Sequence, residues 1–186
     1  MYCILPNPRY DNKRVISWSD IVAIENGTYP KSIPPSRKML FGTYIHNLIE
    51  QNKLPICVPK GVHHEFKVQY KRFVGTIDSC DDDTIIDYKT ATKHWSRIKA
   101  ESHEQLVYYG YLRFKNTGIL PKRYKIVSLE TGLNEDDELV IIGEPRIHIK
   151  EITLTDLLRV KARADKALLQ LKNASSDDAI KATVIK

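Results

Sequence analysis

Apolar positions along the chain recur with two different periods, and the changes of period divide it into elements. Residues 1–16 hold prolines 6 and 8 among many polar groups and have no period, which predicts an irregular arm. Ser17 is placed to cap a short helix over 18–25, ended by Asn26-Gly27. Pro30, Pro34 and Pro35 make the next stretch a loop, and Ser36 is the N-cap of a helix to about Asn52. That helix repeats Leu40, Phe41, Ile45, Leu48 and Ile49 at helical spacing. Between 62 and 90 the pattern changes. VHHEFKVQYK, RFVGTIDSC and TIIDYKT are rich in β-branched and aromatic residues with polar breaks between them, which predicts three strands. A long helix then spans about Ser96 to Phe114, stopped by Asn116-Thr-Gly118 and Pro121. Strands are expected at 123–130, 139–143 and 146–152, with Asn134–Glu138 as a solvated acidic turn. Thr155 or Asp156 opens a last helix to about Lys172, with a polar tail over about 173–186. The order of helices, strand meander, helix, strands and helix predicts one domain over 1–186 with a mixed α/β core rather than a regular βαβ repeat.

Bulk composition narrows the class. With 42% hydrophobic and 28% charged residues in 186, the chain has the balance of a soluble globular domain with a real core. No apolar run approaches the ~20 residues needed to span a bilayer. The apolar run at the N-terminus is short and interrupted by proline, unlike a secretory signal, so a cytoplasm-like compartment is expected. Cys3, Cys57 and Cys80 are widely spaced with no CxxC pair, which predicts reduced thiols rather than a disulfide framework or a zinc site. The net charge of +6 and pI near 9.1 favour a polyanionic partner without specifying one.

The densest chemistry lies in GTIDSCDDDTIIDYKT. Asp87 and Lys89 are two apart and so share one face of a strand, while Ile86 and Tyr88 face the other way. If Asp81–Thr84 is a hairpin turn, Asp78 falls about opposite Asp87. Two close carboxylates resist ionising together, and a hard divalent cation such as Mg²⁺ or Mn²⁺ resolves the conflict. Lys89 is then placed to orient an attacking water or to stabilise charge on phosphorus oxygens. His46, on the preceding helix, offers a nitrogen ligand, or a local contact with Glu50 four residues on. Gln105 and Tyr109 share a face of the long helix and suit a DNA phosphate or base edge. The alternative there is an amphipathic helix with Tyr108, Tyr109 and Tyr111 in the core.

Four short motifs now stand in order: Gly42–His46 as GxxxH, Gly75–Asp78 as GxxD, Asp87–Thr90 as DxKT and Gln105–Tyr109 as QxxxY. In this the chain resembles the RecB-like and CRISPR-associated exonuclease branch of the PD-(D/E)xK nucleases over about residues 36–112. The resemblance implies a restriction-endonuclease-like core, a central mixed β-sheet flanked by helices. It implies that His46, Asp78, Asp87 and the backbone carbonyl of Tyr88 bind the metal, and that Lys89 is catalytic with Asp87 and Asp78. Gln105 and Tyr109 would position the substrate strand, and Glu65 matches a frequently acidic position. Many members of the CRISPR-associated branch hold an iron–sulfur cluster on four cysteines; no cysteine follows Cys80 here, so no cluster is expected.

Thr90 at the end of the catalytic strand, and Lys93, Trp95 and Arg97 after it, add candidate substrate contacts, with His94 and Lys99 beside them. Trp95 fits the core equally well. Lys122, Arg123 and Lys125 form a second basic cluster, and Lys161, Arg163 and Lys166 are most simply a solvated face. The expected activity is Mg²⁺- or Mn²⁺-dependent DNA exonuclease cleavage, in replication, recombination, repair or end processing. A structure-selective or nicking endonuclease on the same core is the near rival. A non-catalytic nucleic-acid binder is the rival of another class, disfavoured because such a binder has no use for clustered carboxylates facing a polyanion.

Overall fold

The computed structural model describes residues 15–28, 34–54 and 62–184, with side chains described up to 173. Cys3 and Cys57, and most of the expected N-terminal arm, lie outside the described residues. The elements are α1 (Trp18–Glu25), α2 (Arg37–Glu50), β1 (His63–Tyr70), β2 (Phe73–Cys80), β3 (Thr84–Ala91), α3 (Arg97–Glu101), α4 (Glu104–Thr117), β4 (Arg123–Leu133), β5 (Leu139–Ile141), β6 (Arg146–Glu151) and α5 (Leu154–Val184).

Six strands form one mixed sheet in the order β1-β2-β3-β4-β5, with β6 also paired to β4. β1, β2 and β3 are an antiparallel meander, and β3 and β4 run parallel. A parallel pair needs a crossover, and α3 with α4 supplies it. β4 carries β6 along its first half and β5 along its last residues. The β2–β3 turn is built by Asp81, whose Oδ1 accepts from the amides of Asp83 and Thr84 at 2.9 and 2.7 Å.

Apolar side chains cover both faces of the sheet. On one, Ile77, Ile85, Tyr124 and Ile126 pack with Trp18, Ile21, Leu106, Leu112, Leu157 and Val160 from α1, α4 and α5. On the other, Ile86, Tyr88, Val127 and Leu129 pack with Ile45 and Ile49 of α2. Alternation along β3 therefore holds, with Ile85 and Ile86 in opposite cores. The result is the expected central mixed sheet flanked by helices, and no helix among the described residues is long and apolar enough to cross a membrane.

Four expectations need correction. The single helix over 96–114 is two: Ser96 caps α3, the chain breaks at Ser102-His103, and α4 runs on to Thr117 before Gly118 at φ 75°. Ser102 turns its hydroxyl back onto the carbonyl of Lys99 at 3.1 Å, which competes with helix propagation. The last helix does not stop near Lys172 but continues to Val184, where a polar tail was expected. The end of the N-terminal arm is not irregular throughout, because Ile16 is fully buried and forms a parallel bridge to Phe73. Finally, Arg163 is no member of a solvated face. It donates to Glu25 and to Glu104 and lies 4.8 Å from the Trp18 ring, tying α5 to α1 and α4. Cys80 is buried, and burial pushes its thiol up to about 11, so it is inert at neutral pH.

Candidate active site

The site forms where the β1–β2–β3 meander loses its regular ladder. Pairing between β2 and β3 ends at Ser79↔Ile86, so Asp78 and Asp87, next in register, are no longer joined by the ladder. In place of a strand bond, Asp78 Oδ2 accepts from the amide of Tyr88 at 2.9 Å. Across the other ladder, Glu65 stands next to the His64↔Ser79 pair and adopts φ 48°, a left-handed conformation that costs a non-glycine residue about 1 kcal/mol or more. The consequence is a change of face. Phe66 packs on the α4 side of the sheet, while His64, two residues before it, lines a pocket with His46 and Ile49 of α2. Glu65, Asp78 and Asp87 thus occupy one row across three strands, at the point where that row is opened.

α2 brings the imidazole. Ser36 caps it, its side chain accepting from Met39 N at 3.3 Å, and Ile45 and Ile49 anchor it on the sheet, which leaves His46 turned to the strands. His46 Nε2 donates to the Tyr88 carbonyl at 2.9 Å, and Nδ1 stands 3.6 Å from Asp78 Oδ1. The local contact with Glu50 considered above is replaced by these longer-range ones, although Glu50 lines the same pocket. Each of His46, Glu65 and Asp78 offers a ligand atom within 4.8 Å of the others. Around them is a pocket of about 10 Å³, the size of one water, lined also by Ile49, Glu50, His64 and Tyr88. His64 is fixed there by Ser79, with Nδ1 and Oγ 2.7 Å apart.

Asp87 and Lys89 form the second half. Asp87 is buried, and Lys89 Nζ lies 2.9 Å from its Oδ2, an oxygen otherwise closed off from hydrogen-bond donors. Burial alone would lower the Lys89 pKa, but the Asp87 carboxylate outweighs it and holds the ammonium above the ordinary lysine value. Asp78 goes the other way. Burial first, and the Asp87 charge second, push its carboxyl up to about 7, against the opposing pull of His46, the Tyr88 amide and Lys89. A half-buried carboxyl that ionises this reluctantly beside an imidazole and a second acid is a group short of positive charge. That donor set of carboxylates and imidazole fits a hard divalent cation.

α4 lies along the same strands. Tyr109 rests on β2 at Gly75, where an added Cβ would come within 2.5 Å of ring atom Cε1. Only glycine admits the ring there, which gives the glycine of the GxxD motif its reason. Gly42 is the counterpart on α2, since a Cβ there would meet Thr90 Oγ1 at 3.1 Å. Gln105 Nε2 donates to the Tyr109 hydroxyl at 2.6 Å, and Gln105 Oε1 faces His103 Nε2 at 3.1 Å. Tyr108 and Tyr111 are core, and Tyr108 donates to the Ile16 carbonyl at 3.1 Å, so the helix serves both the core and the site.

The structure thus gathers His46, Asp78 and Glu65 in one cluster, Asp87 with Lys89 in a second, and Gln105 with Tyr109 in a third. The charges of Asp87, Lys89 and Asp78 all act on Tyr109. The residues after β3 divide. Lys93 is exposed, and Trp95 is half-buried against the core. Arg97 is spent on its own helix, donating to Glu101 at 2.6 Å. Lys122 pairs with Asp83 on the surface, and Arg123 donates to Thr84 Oγ1 at 3.1 Å. His64 and His103 were missed by sequence reasoning. The HHE run that opens β1 was a usable signal for the first; nothing in periodicity singles out the second.

No family model matches the chain, and no curated protein matches it significantly. Solved structures do. An alkaline exonuclease from Laribacter hongkongensis is 12% identical with a TM-score of 0.53, covering 92% of this chain and 95% of that one. The same exonuclease in complex with dAMP gives 14% identity and a TM-score of 0.51, over 92% and 95%. A presumptive exonuclease from Eubacterium rectale is 13% identical with a TM-score of 0.57, over 93% and 88%. Identities this low speak to the fold alone, which this chain shares with those exonucleases.

Proposed function

We propose that this chain is a metal-dependent nuclease that hydrolyses DNA phosphodiesters, acting as an exonuclease of the RecB-like kind in DNA repair, recombination or end processing. One observation carries the reading: a reluctant, half-buried carboxyl, Asp78, stands with His46 and Glu65 around a pocket beside the Asp87–Lys89 pair. A fold shared with exonucleases, one of them solved with dAMP, supports the substrate class.

His46, Asp78, Asp87 and Glu65, with the Tyr88 carbonyl, would hold Mg²⁺ or Mn²⁺. When bound, the cation supplies an acidified water and offsets negative charge building on the phosphate. The chain's own groups do the rest. With a cation bound, Asp78 would be held deprotonated, and His46, whose Nδ1 already faces Asp78, would offer that nitrogen's lone pair. Lys89 Nζ lies 2.9 Å from Asp87 and, 25% exposed, reaches outward to a water or a phosphorus oxygen. Tyr109 and Gln105 offer donors that fix the strand in line. Thr90 at the end of β3, with Lys93 and Trp95 beyond it, extends the path, with Arg97 available only when it leaves Glu101.

The test is digestion of matched linear and covalently closed circular DNA with Mn²⁺. Loss of the linear form with the circle intact is expected. Cleavage of the circle would replace exonuclease by endonuclease, and binding without turnover of either form would leave a non-catalytic binder.

A further inference from the structure

We propose that His103 is a positioning residue for strand cleavage: its imidazole fixes the Gln105 amide so that Tyr109 presents its hydroxyl hydrogen to the substrate phosphate. This rests on the nuclease reading above and deepens it. His103 occupies the break between α3 and α4 as the N-cap of α4, yet its side chain makes no capping bond there. The ring stands edge-on to Trp95 at a centroid distance of 5.0 Å. Trp95 is itself pinned: its amide donates to Ser128 Oγ and its carbonyl accepts from His148 Nε2, both at 2.9 Å, and Lys99 Nζ lies 4.1 Å over its ring. The imidazole is thus held for a purpose other than ending the helix.

That purpose follows from donor and acceptor roles. With Gln105 Oε1 turned to the ring, the His103 tautomer that carries its hydrogen on Nε2 completes the pair. A primary amide can be turned end for end; a donor on one side selects the orientation with its NH₂ toward Tyr109. The tyrosine oxygen then accepts from Gln105, and its own hydrogen is left to give away. Without His103 the amide is free to turn its oxygen to Tyr109, and the hydroxyl hydrogen would be consumed inside the protein. The ring over Gly75 fixes where the hydroxyl points, and the charges of Asp87, Lys89 and Asp78 acting on it place it at the reaction site. Burial lowers the His103 pKa, which keeps a third positive charge away from Lys89 and Lys99.

Steady-state digestion of linear DNA with Mn²⁺ by His103→Phe, His103→Gln, Gln105→Ala and the double variant His103→Phe/Gln105→Ala tests this. Phenylalanine keeps the ring on Trp95 and removes the donor; glutamine restores an N–H near the Nε2 position. The kcat of His103→Phe should fall about tenfold with KM within about twofold and thermal unfolding unchanged, and His103→Gln should recover most of it. The double variant should be no slower than Gln105→Ala, because both changes act through one amide. If His103→Phe does not fold, the length-matched pair His103→Gln and His103→Met must differ in kcat by the same factor. Wild-type kcat in the donor-free variant, or full multiplication of the two losses in the double variant, overturns the inference alone. A wild-type enzyme that cleaves nothing overturns it together with the nuclease reading.

Discussion

Asp78 links stability, metal binding and pH in one carboxyl. Its folded pKa is about 7 against an ordinary 3.8, so between those values the folded chain binds more protons than the unfolded one. Stability of the metal-free protein must therefore decline as pH rises through that window, by a few kcal/mol at most. Asp78→Asn should flatten the decline and raise the metal-free Tm at pH 8. Thermal melts from pH 5 to 8 check this, and a wild-type Tm that climbs over that range would contradict the assignment. Gly75 fails differently. An alanine there drives a Cβ into the Tyr109 ring, and Gly75→Ala should cost about 1–3 kcal/mol in denaturant unfolding and displace the hydroxyl from the site. At this scale Asp87 and Lys89 were legible, because a strand of period two must place them together. The strain at Glu65 was not, since no residue type announces a positive φ in a strand.

Elements were legible where local chemistry decides them. Ser17 and Ser36 cap α1 and α2 as expected, and Ser17 completes a capping box with Asp20. Ser17→Ala should cost about 1 kcal/mol of stability, measured by denaturant titration, with cleavage unchanged. Elements were misjudged where tertiary contacts decide them. At the α3–α4 break Ser102 turns back on Lys99 and the His103 ring packs on Trp95 ahead of α3, and no helix periodicity contains that contact. Likewise Arg163 has the spacing of a surface residue on α5, and only the docking of α1 and α4 turns it into a half-buried tie.

For the molecule as a whole, the net charge of +6 is the property that bears on a polyanionic substrate. With +6 net charge, binding of DNA in EDTA should weaken steeply with salt, log Kd rising linearly with log salt concentration. A flat salt dependence would point away from phosphate recognition. Mn²⁺ should raise Tm, and by more at pH 8 than at pH 6, because loading must displace the Asp78 proton. The sheet with helices on both faces was legible from the order of periods and the four motifs. The grouping of the ligands was less so: His46 and Asp78 meet through an opened ladder, and Asp87 stands with Lys89 rather than with them.

The most direct measurement is release of label from end-labelled linear DNA with Mn²⁺ by the wild type and by Lys89→Ala, its fold verified by circular dichroism. The wild type should release label, stop in EDTA and resume when Mn²⁺ is restored, and Lys89→Ala should be slower by about a hundredfold or more. Label released by Lys89→Ala at the wild-type rate, or by the wild type in EDTA, would contradict a metal-dependent reaction at this site.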